Sequence, residues 1–220
     1  MCRAFPRCFF AMAVFSVFLF SLCQASALPQ DAKSEASKLN PFNQAEYLFN
    51  SGKFSEAKQY YQEYIEKNPG DSHADQAIFR LGQIDLGNRF YATALGHFTV
   101  LLERFPGNPF FSRAFFLAGV CHFELEHFME AGDIFKSQFN SNPDINVRWE
   151  SLLYLGRINE KNSEYEEALA KISEVYSKAE NKELRKQAEQ DAERIINEKL
   201  TIPALLSSVQ KQSGGFPLDF

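Results

Sequence analysis

Ala57, Ala94, Ala131 and Ala168 follow one another at a constant interval of 37 residues. Four further columns keep the same beat. Gly82, Gly119 and Gly156 form one, with Ala45 at the same place a unit earlier, and Pro69, Pro106 and Pro143 form another. Phe54, Tyr91, Phe128 and Tyr165 make an aromatic column, and Tyr61, Phe98, Phe135 and Ile172 an apolar one. A period between 20 and 50 residues is the signature of a solenoid or array, in which each unit buries its apolar face against the next.

The spacing within a unit sets its shape. Gly82 lies 12 residues before Ala94 and Pro106 lies 12 after it, which leaves room for two helices of about 12 to 15 residues. In the third unit Phe115, Phe116, Ala118, Gly119, Val120 and Phe123 make a first helix apolar on more than one side, as an element between two neighbours must be. Phe128, Ala131, Ile134 and Phe135 make a second helix with one apolar face and one wet face. Small residues in the Gly and Ala columns let backbones approach, and a large residue a turn later fills the groove beside them. Asn68-Pro69-Gly70-Asp71, Phe105-Pro106-Gly107-Asn108-Pro109 and Asn142-Pro143-Asp144 stop one helix and start another. Ser72 with Asp75 is expected to form a capping box.

Leu81-Gly82, Ala94, Phe98 and Pro106 resemble the tetratricopeptide repeat at that family's internal spacing, and Ala118-Gly119, Ala131, Phe135 and Pro143 repeat it. The first unit keeps Ala57, Tyr61 and Pro69, the fourth Leu155-Gly156, Ala168 and Ile172. Asp85, His122 and Asn159 stand where the family often has tyrosine, and Glu180 where the proline would fall. The family's usual unit is about 34 residues, so three extra residues per unit are expected in the turns after the prolines. Longer units of this kind are similar to those of bacterial envelope proteins of the Tol–Pal cell-division coordinator and outer-membrane assembly lipoprotein type. The resemblance implies an all-α, right-handed superhelical solenoid of about four units over residues 37–181. Leu184, Ala188, Ala192, Ile195, Ile196 and Leu200 recur at helical spacing, so residues 182–200 are expected to cap it. Residues 201–220 form a tail in which Pro203 starts a turn and Phe216-Pro217-Leu218-Asp219-Phe220 is apolar. An alternative reading takes the chain as the N-terminal repeat region of a longer envelope protein.

Residues 1–27 read as an export signal. Arg3 and Arg7 precede an uncharged run from Cys8 to Leu22, and Ala25-Ser26-Ala27 is a small-x-small cleavage pattern. The run is shorter than the roughly 20 residues of a spanning helix, so a retained anchor is the weaker reading. Cys23 stands where a lipoprotein cysteine would, with Leu22 at a position that normally takes a small residue. Residues 28–36 are a linker. The expected location is the periplasm or the periplasmic face of the outer membrane, with membrane association only through a lipid anchor or a partner. Without Arg3 and Arg7 the chain has 21 basic and 28 acidic residues, a net of −7. That argues against nucleic acid or an anionic lipid surface as partner, since phosphate binding needs clustered cations. Cys121 is then left alone, in a column with Tyr47, Ile84 and Ile158, and reads as a small buried hydrophobe.

Motifs of catalysis are missing from the sequence: no glycine-rich phosphate loop, no Gly-x-Ser-x-Gly, no His-Glu-x-x-His. His122 and His127 are five apart and do not share a helix face, so no metal, no cofactor and no enzyme is expected. The carboxylates between Glu160 and Glu198 alternate with Lys and Arg, as on solvated helix faces. Function is therefore expected from shape, with segments of other envelope proteins bound in a concave groove lined by the first helices. Phe42, Phe79, Phe116 and Leu153 form its column, joined by Phe49, Leu86 and Phe123, with Glu46, Gln83, Arg157 and Glu160 as polar neighbours. Two readings stand side by side: a docking strip whose charged end orients the bound segment, or aromatics that pack between units. The alternative role is an accessory or ligand-capturing subunit of a transport system.

Overall fold

The computed structural model describes residues 40–199. The leader 1–27 with Cys23, the linker 28–36 and the tail 201–220 lie outside them. The described residues form nine α-helices and no strand. Helices α1 (Pro41–Asn50) and α2 (Phe54–Lys67) make the first hairpin, α3 (Ala74–Gly87) and α4 (Tyr91–Arg104) the second. The third is α5 (Phe111–Glu124) with α6 (Phe128–Ser141), and the fourth α7 (Ile145–Lys161) with α8 (Tyr165–Lys178). Helix α9 (Lys182–Lys199) closes the stack. Each helix packs on the next in chain order, α5 also touches α7, and α7 touches α9.

The small-residue columns lie where the helices of a hairpin cross. A Cβ added to Gly82 would stand 2.5 Å from the Phe98 ring, one on Gly119 2.8 Å from Ile134, and one on Gly156 2.8 Å from Ile172. Ala57, Ala94, Ala131 and Ala168 are wholly buried. A larger residue at any of these places would drive the two backbones apart.

The turn inside every hairpin is the same. Gly52, Arg89, Glu126 and Ser163, 37 residues apart, have φ of 76, 63, 62 and 65°. The next amide reaches back to a carbonyl five residues earlier: Lys53 to Leu48 at 2.9 Å, Phe90 to Asp85 at 2.8 Å, His127 to His122 at 2.9 Å and Glu164 to Asn159 at 2.8 Å. This is a Schellman cap, which uses up the last carbonyls of the first helix and reverses the chain. It also brings the rings of His122 and His127 to 5.7 Å between centroids, because the five-residue spacing spans a chain reversal rather than a continuing helix.

The three extra residues are placed in two ways. After Pro69 and Pro106 they lie in the six-residue loops 68–73 and 105–110, where each proline is followed by glycine. After Pro143 they become helix: α7 has 17 residues against the 14 of α3 and α5. The Asp144 side chain accepts from the Asn146 amide at 2.9 Å and starts α7 at once. The capping box expected at Ser72 and Asp75 is not formed. Asp71 does that work, accepting from the His73 amide at 2.9 Å and from the Tyr64 hydroxyl, so the helix begins at Ala74 with no side-chain cap of its own.

Helix α9, the last of the described residues, departs from the repeat on one face. The columns that meet the second helix in each unit, Phe42/Phe79/Phe116/Leu153 and Ala45/Gly82/Gly119/Gly156, continue on α9 as Gln190 and Glu193, both exposed. Its other face keeps the apolar pattern: Leu184, Ala188 and Ile195 are buried. Ile196 on the same helix stays 40 % exposed. Cys121 is buried, and burial pushes its thiol up to about 12.

Candidate partner-binding groove

The first helices of the hairpins line one face of the stack. Between α3, α5, α7 and the start of α9 they enclose an open cavity of about 370 Å³. Its floor is apolar, made by Leu86, Phe116, Leu117, Val120, Leu153 and Leu184. Its rim is polar. Arg113 of α5 and Glu150 of α7 form an ion pair there, beside Asn181 just before α9 and Glu183 and Gln187 on it. The Arg113 guanidinium also lies over the Phe116 ring, 4.8 Å from its centre, a stacking that suits the planar cation.

Ion pairs cross from one first helix to the next. Glu46 of α1 takes the Arg80 fork of α3 at 3.1 and 3.3 Å and also accepts from the Tyr61 hydroxyl. Burial, then the Glu46 carboxylate, pushes the Tyr61 phenol far above its ordinary range, so it remains a donor. Arg157 of α7 reaches Asp191 of α9 at 2.6 Å, and Arg194 of α9 pairs with Glu160 and, at 2.7 Å, with Asp191. Charged partners thus bracket the apolar centre at both ends of the stack.

Three of the residues read from the sequence as groove residues, Leu86, Phe116 and Leu153, meet at the cavity. The column Phe42, Phe79, Phe116, Leu153 is only 6, 5, 3 and 1 % exposed. Its rings pack against their own second helices, Phe42 on Tyr61 at 6.2 Å, Phe79 on Phe98 at 6.1 Å and Phe116 on Phe135 at 5.5 Å. The ladder is therefore interior packing, with the edges of Phe116 and Leu153 reaching the cavity. Phe49 and Gln83 line a separate hollow of about 210 Å³ with Phe54 and Ile84. Phe123 sits in an aromatic group with Phe128 and Tyr154 at 5.6 and 5.3 Å. Glu46, Arg157 and Glu160 are engaged within the chain, as above. Leu117, Val120, Tyr154, Arg113 and Glu150 escape the sequence reading, although Arg113 and Glu150 are opposite charges one repeat apart in the same column, a pattern that marks neighbouring first helices.

A second polar cluster lies between hairpins. Asp85, wholly buried, pairs with Lys58 of α2 and has its other oxygen 3.3 Å from His97 Nε2 of α4. Burial lowers the His97 pKa against the opposing pull of Asp85. Among the described residues no group of three or more His, Cys, Asp or Glu is placed to hold a metal ion, and no helix is long and apolar enough to cross a membrane.

Stacked hairpins at one interval, crossed at Gly and Ala and opening a groove along their first helices, form a solenoid of the tetratricopeptide-repeat kind. The family description "Tetratricopeptide repeat" matches residues 42–71. Outer membrane protein assembly factor BamD of Caulobacter vibrioides is 30% identical over 73 residues, 33% of this chain and 24% of that protein; the chain thus spans about a quarter of that curated relative's length. Among solved structures, MamA of Desulfovibrio magneticus RS-1 has a TM-score of 0.53 at 18% identity, covering 64% of this chain and 76% of that one. A tetratricopeptide repeat protein of Parabacteroides merdae has a TM-score of 0.56 at 14% identity, covering 79% and 66%. YrrB, described as a TPR protein with an unusual peptide-binding site, has a TM-score of 0.52 at 17% identity, covering 83% and 90%. At these identities the solved structures show the fold alone.

Proposed function

We propose that this chain is a non-catalytic scaffold of the bacterial cell envelope that holds a segment of a partner protein along its first-helix face, in an assembly or division role. The observation that carries this reading is the cavity of about 370 Å³, with its apolar floor and its Arg113–Glu150 rim. An apolar floor supplies affinity through burial, and a few polar rim groups fix orientation. The segment shared with BamD supports an envelope role, and the leader pattern in residues 1–27 supports export to the periplasm or the inner face of the outer membrane. Membrane contact then comes through the partner or through a lipid on Cys23.

A photo-crosslinking residue at Val120, on the cavity floor, tests the reading in whole cells. Adducts with one defined envelope protein at Val120, and none at the exposed Thr99 of α4, are expected. Equal adduct formation at both positions overturns the groove as the binding face.

A further inference from the structure

The seams between successive units carry a repeated plug, and one seam lacks it. Lys58, Leu95, Gly132 and Leu169 occupy one column, 37 residues apart, on the second helix of each hairpin. Lys58 is drawn into its seam by the buried Asp85. Leu95 and Leu169 are half-buried and pack on the core. Gly132 has no side chain to offer, and a Cβ there would touch only Ile158, at 3.9 Å. The seam between the third and fourth units therefore opens into a hollow of about 500 Å³, floored by Leu155 and Ile158. It shares no residue with the inner groove.

One turn before the hollow, on its rim, stands Met129, 76 % exposed. A flexible apolar knob next to a hole with an apolar floor and a polar rim is a self-complementary surface: a two-fold axis beside α6 would carry each knob into the other copy's hole. Methionine suits such a contact because its unbranched thioether adapts to irregular space. The rim is charge-balanced, with Lys136 and Lys171 set against Asp133 and Glu164, so a two-fold can pair opposite charges without leaving one sign in excess. We infer that this outer seam is the contact surface for a second copy of the chain, with Met129 of each copy entering the Gly132 hollow of the other. The inner groove stays open in that dimer, so two partner segments can be held at once.

Sedimentation equilibrium of the full chain, at concentrations up to about 100 µM, tests the inference with two variants. Gly132→Leu supplies the plug found in the second and fourth units, and Met129→Glu removes the knob. The wild type is expected to sediment as a dimer and both variants as monomers, with the melting temperature of Gly132→Leu no lower than wild type, so that loss of the dimer is not loss of fold. A monomeric wild type across this range, or a dimer that survives both substitutions, overturns it.

Discussion

Arg113 of α5 and Glu150 of α7 stand one repeat apart in the same column and join their charges across the mouth of the inner cavity. The pair fixes the spacing of two first helices where a bound segment would lie. Its side chains are 44 and 25 % exposed, so solvent screens it and its contribution to stability is about 0.2–1 kcal/mol. Arg113→Glu and Glu150→Arg singly should each destabilise within that range, with like charges facing each other, and the double swap should recover most of the loss. Urea unfolding of the four proteins as a double-mutant cycle checks this.

Glycines in this chain divide by what stands opposite them. Gly82→Ala should cost about 1–3 kcal/mol, because the new methyl runs into the Phe98 ring. Gly96→Ala, in the exposed middle of α4 with nothing within 4 Å, should instead stabilise by about 0.5–1 kcal/mol through lower backbone entropy in the unfolded chain. Thermal unfolding of both variants beside the wild type gives the two signs.

The Schellman turns make a second prediction of opposite sign for one residue type. Ser163, with φ at 65°, holds a left-handed conformation that costs an L residue about 1–2 kcal/mol. Ser163→Gly should stabilise by about 0.5–1 kcal/mol once glycine's larger unfolded entropy is subtracted. Gly52→Ala should destabilise by a similar amount, since Gly52 holds φ at 76° in the equivalent turn. Differential scanning calorimetry resolves both.

Acid should weaken the stack through its histidines. Burial holds His97 and His122 below their ordinary pKa, so at moderately acidic pH the unfolded chain binds protons that the fold resists. The stability these groups contribute should then be fully present above about 6.5 and be lost as pH falls from there through the lowered folded value, below which they add no further slope. His97→Gln should flatten part of this dependence when unfolding free energy is followed from pH 5 to 8. A profile steeper in the variant contradicts the assignment.

Cys121 should be inert in the folded protein. It is fully buried and its thiol is pushed up to about 12, so almost no thiolate is present at neutral pH. Reaction with a disulfide reagent at pH 8 should follow global unfolding, with full reactivity only in denaturant.

The solenoid is legible in the sequence because its tightest contacts demand particular residues. Gly82, Gly119 and Gly156 face Phe98, Phe135 and Ile172, and a Cβ at any of the three would stand 2.9 Å or less from the side chain opposite. The turns within hairpins are not legible, since one backbone geometry is carried by Gly52, Arg89, Glu126 and Ser163. The Schellman hydrogen bonds are main-chain to main-chain and leave no mark on residue type. The groove is half legible. Apolar Leu86, Phe116 and Leu153 stand out by period, yet periodicity alone does not separate a ring packed inside a hairpin from one facing outward, and Phe42 and Phe79 prove to be inside. Arg113, Tyr154 and Glu150 depend on how neighbouring first helices slide past each other, which spacing within one unit does not report.

Hydrogen exchange on the chain with its captured partner segment bound tests the central claim most directly. New protection is expected along the end of α3, α5, α7 and the start of α9, which line the cavity, with α4, α6 and α8 unchanged. Protection confined to the second helices, with the cavity floor exchanging as in the free chain, contradicts the account.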